Sequence, residues 1–221
     1  MRRPDALGVG LPVPTPVASG PRRRTVAAAV TLVMGTVLLA ATLRVPRGSS
    51  AFILLGFALA AVWIVGALVS GPIPLRPVAQ STVRVTLAAG ALGAAAFVAF
   101  LSASVVGHHL PVISGALDTV LAKADAAPVA LVLGIALINA VAEELFFRGA
   151  LHAAFERHRP VLSTTACYVT VTATTGNLAL VVAAAVMGSL FSVERLSTGS
   201  VLASVVTHCT WTTLMLLALP R

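Results

Sequence analysis

The chain has 221 residues, 58% of them hydrophobic and only 10% charged. A soluble domain carries about a quarter charged residues, so this composition excludes a soluble enzyme, a disordered tail and a DNA-binding domain, and places the chain in a bilayer. The formal charge of +8 comes from 15 basic and 7 acidic side chains, and in a membrane protein such an excess reads as topology rather than as nucleic-acid binding.

The first 25 residues are polar, rich in Pro and Gly, and contain Arg2, Arg3, Arg22, Arg23 and Arg24. They are expected to form a disordered basic cytoplasmic tail. Residues 26–43 follow without a charge. A signal peptide has an apolar core of about 7–15 residues and a small-residue cleavage site; this stretch is longer and lacks the site, so it reads as an anchored helix. Spans two and three are expected at 51–70 and 85–107, separated by Gly71-Pro72-Ile73-Pro74, which no helix crosses. A semi-polar stretch, 108–127, holds Asp118, Lys123 and Asp125 and is expected to lie along the interface. Pro128 opens span four, expected to end near Phe147. The uncharged run 161–193 exceeds the roughly 20 residues of one span, and Gly176-Asn177 is the natural break, giving two short helices. The last span is expected at 200–219. The chain is thus an all-α, polytopic membrane helix bundle of about seven transmembrane helices. Its expected parts are the tail 1–25, a region 26–127 of N-terminal spans and interfacial segment, and a core 128–219.

With the N-terminus inside, eleven basic residues fall on cytoplasmic segments and four (Arg44, Arg47, Lys123 and Arg221) on the other side. This bias orients the N-terminus inward and the C-terminus outward, and sets the glutamate-bearing end of span four near the cytoplasmic face of the plasma (inner) membrane. Arg outnumbers Lys by 14 to one, a skew that suggests a GC-rich bacterial gene. Cys167 and Cys209 sit in apolar stretches and imply no disulfide framework. There is no internal repeat, Walker A loop, dinucleotide fingerprint, HExxH or paired CxxC.

A charge at mid-bilayer costs a few kcal/mol even on lenient scales, so intramembrane ionisable groups are functional candidates. Glu143, Glu144 and Arg148 lie at the end of span four, and His208 lies in the middle of span seven among Thr207, Thr210, Thr212 and Thr213. Glu144 and Arg148 are i and i+4 and can pair. Glu143 is turned about 100° away, on the face of Asn139 and Phe147. One glutamate therefore has a partner on its own helix and the other has none, which suits Glu143 to act as a general base on water. His208 is its natural complement, able to bind a metal, donate to an oxyanion or shuttle protons. A His bonded to a Ser or Thr across the bundle is the plain structural alternative. His108 and His109 read as interfacial. His152, four residues after Arg148, is a candidate for the cytoplasmic mouth. Tyr168, Thr170, Thr172, Thr174 and Thr175 make span five polar, but threonines bond back to their own helix.

Glu143-Glu144-Leu145-Phe146-Phe147-Arg148-Gly149 is an EExxxR motif. It resembles motif one of the CPBP family of intramembrane proteases, which includes the CAAX-processing endopeptidase and bacteriocin-processing and immunity proteins. Gly188, the run Ser197-Thr198-Gly199-Ser200, and Thr207-His208 with Thr212 resemble that family's approach to its HxxxN/D motif. The resemblance covers about 128–219. It implies that Glu143 activates water, that Glu144 and Arg148 form a supporting pair, and that His208 stabilises the oxyanion, with Thr212 where the family has Asn or Asp. The family's FxxxH motif has no counterpart histidine: Tyr168 stands for the Phe and Thr172 for the His. A rival alignment on Phe191 and Arg195 leaves only 12 residues between Arg195 and His208, too few. The resemblance leaves open a divalent metal such as zinc, with Glu143 and His208 as candidate ligands, or a metal-free mechanism.

The leading reading is an intramembrane endopeptidase that cuts a membrane-associated peptide or protein near the cytoplasmic face. The alternative is a non-catalytic CPBP-like binding, immunity or regulatory protein. A third is a small transporter with Glu143 as proton carrier, disfavoured by the absence of inverted repeats.

Overall fold

The structure is a computed structural model that describes residues 20–46, 48–107, 115 and 128–218. The expected tail up to residue 19, and the interfacial stretch with His108, His109, Asp118, Lys123 and Asp125, lie outside the described residues.

Seven helices are described: α1 (Pro21–Arg44), α2 (Ser50–Ser70), α3 (Thr82–Gly107), α4 (Val129–Ala154), α5 (Pro160–Ala173), α6 (Leu178–Thr198) and α7 (Leu202–Ala218). No strand occurs among the described residues. Five of the helices, α1 to α4 and α6, are long and apolar enough to cross a membrane. With 14 residues, α5 reaches about 21 Å, and α7 has 17 residues.

The ends of the helices follow local chemistry. Pro21 sits in the first turn of α1, where a missing N–H costs nothing, so the helix starts before Val26 and takes in Arg22–Arg24. Arg24 is held by Nε donating to Ser70 O at 3.2 Å. Ser49 and Asn177 cap α2 and α6, accepting from the backbone N–H of Phe52 and Leu180, as N-cap side chains do. The break at Gly176-Asn177 falls where expected, with Gly176 at φ 71°. Beyond it, α6 is longer than expected: it runs past Val193, through Glu194 and Arg195, and stops at Gly199, whose φ of 69° suits a glycine C-cap.

Span four also continues beyond its expected end. Leu145–Leu151 is a π-helical turn, a form that recurs at functional sites. The helix then reaches Ala154. Glu143 thus lies eleven residues before the helix end, about 16 Å along the axis, and not at the boundary. Arg148 does not end the span because Glu144 neutralises it.

The exterior is apolar. Val26, Val30, Val33 and Val37 of α1 are each at least 53% exposed, whereas Glu144, Arg148, Glu194 and His208 are buried. This inside-out distribution is stable only where hydrocarbon is the solvent. Inside, α1 packs on α2, α3 on α7, α5 on α6, and α4 against both α2 and α7. Trp63, 1% exposed, anchors the centre by stacking on Phe146 at 4.8 Å and tilting against Phe147 at 5.2 Å.

The segment between α2 and α3 docks on the turn after α6. Val78 N donates to Thr198 O at 3.0 Å, and Val201 N to Pro74 O at 2.9 Å. These bonds bring the C-termini of α2 and α6 and the N-termini of α3 and α7 to one end, where Arg24 joins the start of α1 to the end of α2 and Arg195 joins α6 to the last turns of α4. Among the described residues, Arg22–Arg24, Arg76, Arg84, Arg157 and Arg159 flank the helix ends on that side.

Candidate active site

The π turn presents Phe146 through Leu151 to the interior, and all six are buried. Arg148 is 0% exposed, as is Glu144. The pair expected from the i, i+4 spacing forms, with Arg148 Nη1 donating to Glu144 Oε1 at 3.1 Å. Arg148 Nη2 donates to Gly188 O at 3.0 Å. The guanidinium carbon lies 4.8 Å from the Tyr168 ring centre and 5.0 Å from that of Phe191. Gly188 makes this approach possible: a Cβ there would stand 3.0 Å from Tyr168 Cδ1 and 3.4 Å from Arg148 Nη2. The backbone of Arg148 is held too, its carbonyl accepting from Arg195 Nε at 3.0 Å.

His208 reaches the same carboxylate. Its Nδ1 lies 3.1 Å from Glu144 Oε1, and its ring stacks on Phe191 at 4.7 Å. A carboxylate accepts only, so Nδ1 carries the proton in this contact, and Nε2 is the ring nitrogen that Glu144 does not engage.

Glu143 belongs to the other side of the helix. Its Oε2 accepts from Tyr168 Oη at 2.7 Å. Glu143, Tyr168, Thr172 and His208 line one cavity of about 160 Å³, with Phe147, Trp63 and Phe191 in its wall. The cavity extends past Leu39 and Leu43 of α1 towards Thr175 and Leu180, away from the end that carries the basic residues. Of the expected face-mates of Glu143, Phe147 lines the cavity, whereas Asn139 turns to α2 and donates to Gly56 O at 3.1 Å.

The remaining candidates are placed differently. Thr172 lines the cavity, but its hydroxyl donates back to Tyr168 O at 2.9 Å. Thr212 is half-buried and is not among the residues lining the cavity. His152 is buried at 5% exposure, away from the cavity, and its Nε2 has no partner.

A catalytic zinc takes three protein ligands. Among the described residues no group of three or more His, Cys, Asp and Glu side chains is gathered as a metal site. Glu143 and His208 supply two donors, and Glu144 is already engaged by Arg148 and His208, so the donor set does not fit a zinc centre.

Two features escape sequence reading. The phenol of Tyr168 on Glu143 is one. The other is Glu194, which follows the uncharged run 161–193 but is 8% exposed and inside α6, where its Oε1 accepts from Thr207 at 2.7 Å. A signal for Glu194 exists: Ala184, Met187, Phe191, Glu194 and Thr198 recur at three- and four-residue steps, and all are buried.

The fold and this site define a polytopic membrane protein with a carboxylate-lined cavity in its helical interior. Residues 125–214 match the model of the family described as Rce1-like, type II CAAX prenyl endopeptidase. That segment, which holds α4 to α6, most of α7 and every candidate site residue, is the part of the chain that is similar to this family. No curated protein and no solved structure matches the chain.

Proposed function

We propose that this protein is an intramembrane endopeptidase in which Glu143 activates water against a peptide bond of a membrane-associated substrate. The observation that carries this reading is a carboxylate, without a basic partner on its own helix, on the wall of a cavity it shares with His208. Glu143 takes a proton from water, and the water oxygen adds to the carbonyl carbon. The tetrahedral intermediate collapses with cleavage of the C–N bond, and the proton passes from Glu143 to the leaving nitrogen. The products are a carboxylic acid and an amine, and no other reactant is needed. Glu144 and Arg148 hold His208 and the helix in place. His208, held at Nδ1 by Glu144, meets the oxyanion through Nε2–H in its imidazolium form, since only that form donates from both ring nitrogens, a role of the kind worth about two to three orders of magnitude in rate.

The orientation proposed is N-terminus in the cytoplasm of a plasma (inner) membrane, on the balance of basic residues. The reading puts the scissile bond at the depth of Glu143, within the bundle, and the continuation of α4 past Arg148 to Ala154 supports it.

The test compares new N- and C-termini in host membranes from three strains: gene intact, gene deleted, and Glu143→Gln. A peptide present only with the intact gene is expected. Identical termini in all three, with Glu143→Gln restoring whatever the deletion disturbs, would sink the protease reading in favour of a binding protein on the same scaffold.

A further inference from the structure

The family's second motif leaves this chain without a histidine, and Thr172 occupies the corresponding position. The hydroxyl proton of Thr172 is committed to Tyr168 O at 2.9 Å, a bond internal to α5. One turn earlier on the same helix, the phenol of Tyr168 points into the cavity and donates to Glu143 Oε2 at 2.7 Å. We propose that Tyr168 is a catalytic residue of this protein, its phenol O–H the second donor at the reacting carbonyl. The proposal rests on the protease reading above.

Three observations support it. The first is reach: Tyr168, Glu143 and His208 line one small cavity, so a carbonyl placed before Glu143 lies beside the phenol. The second is placement. The Arg148 guanidinium lies over the Tyr168 ring at 4.8 Å, and a cation over the ring face is attracted to it, which holds the ring with its hydroxyl towards Glu143. Gly188 permits this stacking, since any Cβ there would press on the ring at 3.0 Å.

The third is timing. At rest the phenol donates to the Glu143 carboxylate and holds it in place. When Glu143 takes the proton of water it becomes a neutral acid and a weaker acceptor, because hydrogen bonds to charged groups are roughly twice as strong as neutral ones. Negative charge appears at the same moment on the carbonyl oxygen. The phenol then turns its O–H to that oxygen. When the carbonyl re-forms, the C–N bond breaks and Glu143 passes its proton to the leaving nitrogen, and the phenol returns to the regenerated carboxylate. Tyr168 keeps its proton throughout.

The experiment uses the full chain in detergent with a quenched-fluorescent peptide spanning the cleavage site found by the termini comparison. Tyr168→Phe removes one oxygen and leaves the ring over Arg148. Turnover is expected to slow by about two to three orders of magnitude, with KM and the detergent melting temperature near those of the parent, while Glu143→Gln abolishes cleavage. Tyr168→Phe at the parental rate, with Glu143→Gln inactive, overturns the role of Tyr168 and leaves the protease reading standing. A rate loss matched by a fall in melting temperature makes Tyr168 structural and also overturns the proposal. If no peptide is cleaved in the termini comparison, the protease reading fails, and the role of Tyr168 with it.

Discussion

His208 Nδ1 and Arg148 Nη1 share one oxygen, Oε1 of Glu144, each at 3.1 Å. His208 is on α7 and Glu144 on α4, so this atom ties together two helices 64 residues apart in sequence. The neighbour Glu143 is left to the cavity and to Tyr168. Adjacent glutamates thereby differ in role: one joins Arg148 and His208 inside the bundle, and the other faces the cavity.

Glu144→Gln should be strongly destabilising. It leaves Arg148, 0% exposed, without a counter-charge, and breaking a buried pair from one side costs about 3–5 kcal/mol. The expected readout is a large drop in detergent melting temperature. A parental melting temperature would refute the pairing as a stabilising element.

Thr207→Val should have a smaller effect. The threonine hydroxyl lies 2.7 Å from Glu194 Oε1 and 3.0 Å from Ala89 O, joining α3, α6 and α7. Polar contacts between membrane helices contribute about 0.6–1.7 kcal/mol, and valine keeps the shape while removing the donor. Reversible unfolding in mixed micelles should register a loss in that range. No loss would show that Glu194 is satisfied without this hydroxyl.

Gly93→Ala should separate α3 from α7. A Cβ at Gly93 would stand 2.7 Å from the backbone oxygen of Thr207 and 2.8 Å from Thr210 Cβ. Backbone cannot swing aside as a side chain does, so α7 must shift, carrying His208 with it. Overpacking of this kind costs about 1–3 kcal/mol. The melting temperature should fall, and peptide cleavage should fall further than stability alone explains. Parental values of both would mean that the two helices pack less closely than described.

Much of the architecture was legible in the sequence because it depends on sums over neighbouring residues. Hydropathy over a span marks a membrane helix wherever it lies in the bundle, and Gly176-Asn177 breaks one because of its own backbone preferences. The Glu144–Arg148 pair follows from i, i+4 spacing, which a single helix settles. Glu143 and His208 stood out because a charged or imidazole group in hydrocarbon is rare whatever surrounds it. Errors arose where charge was read without its partner. Span four is expected to end near Phe147, yet Glu144 neutralises Arg148 and α4 runs on to Ala154. The uncharged run stops at Val193, yet Thr207 and the Arg148 carbonyl receive Glu194 and Arg195 inside α6.

By itself the sequence determined the solvent, the helices and the identity of the ionisable residues, because each is a property of the local chain. Only the tertiary structure decided which glutamate faces the cavity, that His208 binds Glu144, and that Tyr168 rather than Thr172 offers its hydroxyl to Glu143. Those relationships join α4, α5 and α7, and the rotation of one helix against another is set by packing (here Gly188, Trp63 and the π turn), which no spacing along a single helix encodes.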